Sequence, residues 1–246
     1  MLWDASVIKG YAIEAQDGRL GAVSDFLFED AHWMIRWLVV DTGHWLPGRK
    51  VLLPPSALGH PDVHARRFPV KLTMQRVKDS PEIDTERPVS RQMEDHIYDF
   101  YGWERYWMGA MASPFVAPLY VPGSGALEHV SAKPQSTHDD PHLRSIAAVT
   151  GYHIHAADGE MGHVEDFLVE DASWRIRYLV VDTKNWWPGQ QVLISPRTVR
   201  NIDWADRSIH LNISRQRIKH GRAYDPAKIA DRANEDLMLK YYRRGV

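Results

Sequence analysis

The chain contains no cysteine. That excludes a disulfide scaffold, a thiol nucleophile and thiolate-ligated zinc or iron–sulfur centres. It also lacks the run of about 18 continuous apolar residues that a membrane-spanning helix needs. A targeting pattern is absent too: MLWDASVIKGY puts Asp4 where a leader has its apolar stretch. Nor is there an excess of one charge. Thirty Lys and Arg stand against 32 Asp and Glu, for a formal charge of −2, so the basic face of a dedicated nucleic-acid binder is not expected. No phosphate-cradling glycine loop, G-x-S-x-G elbow or H-E-x-x-H pair occurs. Aromatic residues, by contrast, are plentiful, with 10 Trp and 10 Tyr among 246 residues.

The dominant feature is an internal repeat. GYAIEAQDGRLGAVSDFLFEDAHWMIRWLVVDTGHW begins at Gly10, and GYHIHAADGEMGHVEDFLVEDASWRIRYLVVDTKNW begins at Gly151. At an offset of 141 residues the two copies align without a gap from Gly10 to Asp84, with about 34 of 75 positions identical. The same offset matches Glu94-Asp95 to Glu235-Asp236 and Tyr101 to Tyr242. The chain therefore divides into a first copy with a helical tail (1–108), a Pro/Gly-rich linker (109–142) and a second copy with a truncated tail (143–246).

Each copy reads as short strands separated by turn signals. In the first copy the expected strands are Val7–Ala15, Leu20–Phe28, Trp33–Thr42, Lys50–Leu53 and Arg67–Val77, with Asp17-Gly18 as a hairpin turn. So many short antiparallel strands predict a small closed barrel, which leaves no exposed edge. Ile35, Trp37 and Val39 alternate with Leu38 and Val40, so both faces of that strand are expected to be covered. Beyond Pro88, Ser90 is a plausible N-cap, and Met93, Ile97, Phe100 and Tyr101 form the apolar stripe of an amphipathic helix. The fold class expected is mainly β: two small antiparallel barrels, each followed by a short helical tail.

These strings resemble the PRC-barrel family. The resemblance rests on the D-G turn, on G-x-V-x-D-F-L-F-E-D-x-x-W-x-I-R-W-L-V-V-D-T-G, on W-L-P-G-R-K-V-L-L-P-P, and on the tail V-S-R-Q-M-E…Y-D-F-Y-G-W. It implies a small β-barrel like the cytoplasmic domain of the photosynthetic reaction-centre H subunit, or the C-terminal domain of a ribosome maturation factor. It brings no shared catalytic residue set.

Several residues are candidates for function. Asp25 with Arg36, and Asp166 with Arg177, are expected as cross-strand ion pairs that fix register; a general base with an anion clamp is the sharper alternative. His153 and His155 lie two apart on one strand face, with His163 on the neighbouring strand. That spacing is compatible with Zn, Ni or Cu, although solvent-facing histidines are the plainer reading and no metal or cofactor is expected. Trp45, Trp186 and Trp187 at the W-x-P-G turns, with Trp103, Tyr106 and Trp107 in the tail, are candidate interface anchors. Packing on their own copy is the alternative.

The expected function is a non-enzymatic protein-interaction or adaptor module, docking on a membrane-associated or photosynthetic electron-transfer complex. The alternatives are a small-ligand or metal-binding protein and an RNA- or ribosome-associated factor. The protein partner is unknown, and pairing of the barrels within the chain or in a homodimer is expected. The location expected is cytoplasmic, peripheral to the inner membrane.

Overall fold

In the computed structural model the described residues are 1–81, 91–106, 143–183, 190–219 and 224. The linker and most of the second tail lie outside them. The fold is mainly β, in two mixed sheets. The first copy contributes β1 (Leu2–Asp4), α1 (Ala5–Ile8), β2 (Ala12–Ala15), β3 (Gly18–Glu29), β4 (Met34–Asp41), β5 (Lys50–Leu53), a 3-10 turn (Pro55–Ala57), β6 (Arg67–Pro69), α2 (Met74–Lys78) and α3 (Arg91–Tyr101). The second copy repeats the order with one strand more, β12, as β7 (Leu143–Ser145), α4 (Ile146–Val149), β8 (His153–Ala156), β9 (Gly159–Glu170), β10 (Ile176–Asp182), β11 (Gln191–Ile194), a 3-10 turn (Pro196–Thr198), β12 (Val199–Asp203), β13 (Ser208–Leu211) and α5 (Arg215–Lys219).

The sheets are ordered β5-β4-β3-β2-β6 and β11-β10-β9-β8-β13-β12. All pairs are antiparallel except β2 with β6 and β8 with β13. Among the described residues the first sheet does not close into a ring. Beside its outer strand β6 lie only the isolated bridges Leu58↔Val70 and Asp62↔Arg67. Two expected strands are shorter than the apolar pattern suggested. Val7–Ala15 divides into the end of α1 and β2, and Arg67–Val77 into β6 and α2. Thr73 makes the second break, because its side chain caps α2 by accepting from the Arg76 N–H.

The terminal elements of the copies are exchanged. β1 pairs with β9 of the second copy, Leu2 opposite Glu170 and Asp4 opposite Leu168. β7 pairs reciprocally with β3 of the first, Leu143 opposite Glu29 and Ser145 opposite Leu27. Each long central strand thus has its own copy along one half of an edge and the sister copy along the other. Between the copies, the Ile35 N–H donates to the Trp174 carbonyl at 2.9 Å and the Ile176 N–H to the Trp33 carbonyl at 2.8 Å. Both tryptophans take the left-handed conformation, with φ of 55° and 56°. That is an uncommon and strained choice for a bulky residue, and it turns each carbonyl toward the sister copy.

One apolar cluster runs through both copies. Phe28 stacks on Trp33 and lies 6.1 Å from Phe167, and Phe68 lies 6.0 Å from Trp174. Gly21 and Gly162 permit the closest strand approaches. A Cβ at Gly21 would fall 2.1 Å from the Asp41 carbonyl oxygen, and one at Gly162 would fall 1.9 Å from that of Asp182. On the outer face of β4, the helix α3 buries Glu94, Ile97, Tyr98 and Tyr101. The buried stripe is therefore rotated by about one residue from the expected one, and Met93 and Phe100 lie at its margin.

Candidate functional site

Asp25 and Asp166 do not pair with Arg36 and Arg177. Bulges between Val23 and Asp25 and between Leu27 and Phe28 set Asp25 opposite Val39 rather than Arg36. The Asp25 carboxylate instead receives the Ser145 hydroxyl and, at 3.1 Å, the Ala147 N–H, both from the sister copy's exchanged segment. Asp166 receives the Ser6 hydroxyl and, at 3.2 Å, the Ser6 N–H. Each aspartate holds the first turn of the other copy's short helix, and in α4 the Ser145 hydroxyl adds a cap by accepting from the Ala148 N–H. Burial pushes the Asp166 carboxyl up, against the lowering effect of its Ser6 and Phe167 hydrogen bonds.

The arginines pair with glutamates in their own hairpins. Arg36 reaches Glu29 at 2.5 Å and Arg177 reaches Glu170 at 2.7 Å. Burial alone would raise both glutamates. Hydrogen bonds from Arg36 and His32, and from Arg177 and Ser173, outweigh it and hold both carboxyls below the usual range. At the ends of β4 and β10, Thr42 donates to the Leu46 and Arg49 carbonyls and Thr183 to that of Gln190. These groups shape local turns.

His153 lies opposite His163, and His155 stacks on His210 with ring centroids 5.0 Å apart. His153 is exposed and approaches Glu160 at 3.5 Å. The three expected histidines are therefore neighbours on β8 and β9. No group of three or more potential ligands placed to hold a metal ion occurs among the described residues.

The aromatic candidates that are described pack on their own copy. The Trp45 indole N–H donates to the Leu20 carbonyl at 2.6 Å. Trp103 stacks on Tyr101 with centroids 4.1 Å apart. Tyr106 lies under the Arg36 guanidinium, 3.9 Å from its ring centroid, and its hydroxyl donates to Glu94. Trp107, Trp186 and Trp187 lie outside the described residues.

Glu94 was not anticipated as a key residue. Its side chain is fully buried and accepts from the Trp37 indole N–H at 2.7 Å. The signal was its place in the i, i+3, i+4, i+7 series with Ile97, Tyr98 and Tyr101, where a carboxylate on an apolar face demands a partner.

Among the described residues, concavities lie where the copies meet. One, of about 570 Å³, is formed by the first copy's β3–β4 turn (Asp30, Trp33) against the second copy's 3-10 turn and β12. Its walls include Arg175, Arg177, Arg197 and Arg200. The related junction holds cavities of about 640 and 500 Å³, lined by Met34, Arg36, Ser56, Gly59, Asp171 and Trp174 among others. The sequence reading missed these clefts because each is assembled from both copies.

No protein-family model matches the chain, and no curated protein matches it either. Among the described residues no helix is long and apolar enough to cross a membrane.

Proposed function

We propose that the protein is a non-enzymatic interaction module built from two PRC-type barrels, which docks onto a protein partner at a membrane-associated assembly. The repeated sequence strings and the matching order of short strands in both copies support that reading of the domains. The observation that carries the functional reading is the commitment of the candidate reactive groups to the scaffold. Asp25, Asp166, Arg36 and Arg177 all hold turns or helix starts. The reciprocal exchange joins the two copies, which suits the presentation of a fixed surface.

Exposed apolar side chains supply a place to dock. Val7 and Val63 are 47% and 48% exposed. They flank Arg66, whose guanidinium reaches the Val7 carbonyl and whose N–H donates to that of Val63. An apolar pair beside a cation fits the mixed character of interface centres. A photo-crosslinking residue at Val63 of the full chain tests this reading in solubilised native membranes. A discrete adduct that excess unlabelled protein suppresses is expected; no suppressible adduct would overturn it. Small-ligand binding is a second reading, favoured by the arginine-lined cleft.

A further inference from the structure

We propose that the arginine-lined cleft between the copies binds a small phosphorylated molecule. Its volume, about 570 Å³, falls in the range of small-molecule sites, roughly 300–1,000 Å³. Among the charged residues on its walls, Asp30 faces Arg175, Arg177, Arg197 and Arg200. The whole chain carries a formal charge of −2, so this concentration of positive charge runs against the overall balance.

The arginines are not equivalent. Arg177 is held by Glu170 at 2.7 Å. Arg144 borders the cleft, 3.7 Å from Asp30 and 3.9 Å over the Trp204 ring, so the acid of the cleft already has a cation beside it. Arg175, Arg197 and Arg200 have no carboxylate partner among the described residues. Arg197 and Arg200 are exposed, and Arg175 is half-buried. Several like charges held around one concavity repel each other, and a dianion placed among them relieves that repulsion. Planar guanidinium groups also match the oxygens of a phosphoryl group through paired N–H donors.

The related junction gives an internal control. At the offset of 141 residues, Arg175, Arg197, Arg200 and Arg144 correspond to Met34, Ser56, Gly59 and Trp3. The charged groups lining that junction are the Met1 ammonium, Arg36, Glu104 and Asp171, and the ammonium pairs with Asp171 at 2.8 Å. Two junctions on one scaffold therefore differ by the selective placement of arginine on one side. Framework needs do not explain this, since the first copy builds the same junction without those arginines.

Calorimetric titration of the full chain with inorganic pyrophosphate at physiological salt tests the proposal. Saturable binding at one site per chain is expected. Affinity should fall at least tenfold in the Arg197→Ser/Arg200→Gly double variant, which restores the first copy's residues, and in Arg175→Met. Both variants should melt as the parent does; should the double variant fail to fold, Arg175→Met alone carries the comparison. Failure of pyrophosphate to saturate, equal affinity in folded variants, or binding of RNA alone with loss in salt would overturn it. None of these outcomes bears on the crosslink at Val63, so the two readings fail separately.

Discussion

The two junctions between the copies occupy matching places and carry different surfaces. On one side Arg175, Arg197 and Arg200 line the cleft; on the other stand Met34, Ser56 and Gly59. The groups that build the junctions agree closely. Trp33 and Trp174 make the same left-handed turn, Asp25 and Asp166 hold corresponding exchanged helices, and Glu29–Arg36 repeats as Glu170–Arg177. The contrast separates what the pairing of copies requires from what it leaves free. Positions that hold the junction together are constrained by packing and backbone geometry, whereas rim positions touch solvent and can take on a charge with little effect on the fold.

The comparison breaks most sharply in the core. Phe28 is fully buried and reaches Phe167, whereas its counterpart is Val169. Phe28→Ala should destabilise the protein by about 3–5 kcal/mol, and Val169→Ala by less, because a smaller cavity is left. Denaturant midpoints for the two variants check the ranking. The buried Glu94 comes next. Glu94→Ala strands the Trp37 indole N–H and should lower stability by about 1–3 kcal/mol, measured from the same unfolding curves.

The exchanged helices sharpen the comparison. Asp25→Ala and Asp166→Ala should each cost about 1 kcal/mol, the usual range for a lost helix-start acceptor. Similar losses are expected because both carboxylates hold corresponding segments, and melting curves compare them directly. The smallest effect is acid sensitivity. Glu29 and Glu170 have folded pKa values below the ordinary glutamate value of 4.5. The unfolded chain therefore binds more protons at these groups as the pH falls through that value. Their stabilising contribution, present above it, is lost as the pH falls through the lowered folded values. Asp166 has the opposite sign: its raised pKa makes the folded form take up a proton first, so it works against the acid loss. A Glu29→Gln/Glu170→Gln variant should show a flatter fall in melting temperature below pH 4.5.

The repeat and the central strands were legible because they carry local signals. Lys50–Leu53 forms the expected strand, and the segments around Phe26 and Trp37 pair as a hairpin. The exchange was not legible. Leu2-Trp3-Asp4 is too short for periodicity to speak, and its partner Val169 lies in the other copy. Asp25 faces Arg36 only in an unbulged hairpin, and the bulges in the pairing of β3 with β4 shift the register. The Arg67–Val77 segment reads as one apolar strand until the cap at Thr73 is recognised. The clefts depend on which faces of the two copies meet, which no local pattern specifies.

The central claim is that reciprocal exchange makes the two copies a single folding unit. Hydrogen exchange measured by mass spectrometry across a urea series tests it most directly on the full chain. Protection of the β3–β4 and β9–β10 peptides should be lost together at one urea concentration. Loss of one pair of strands while the other stays protected would contradict the account.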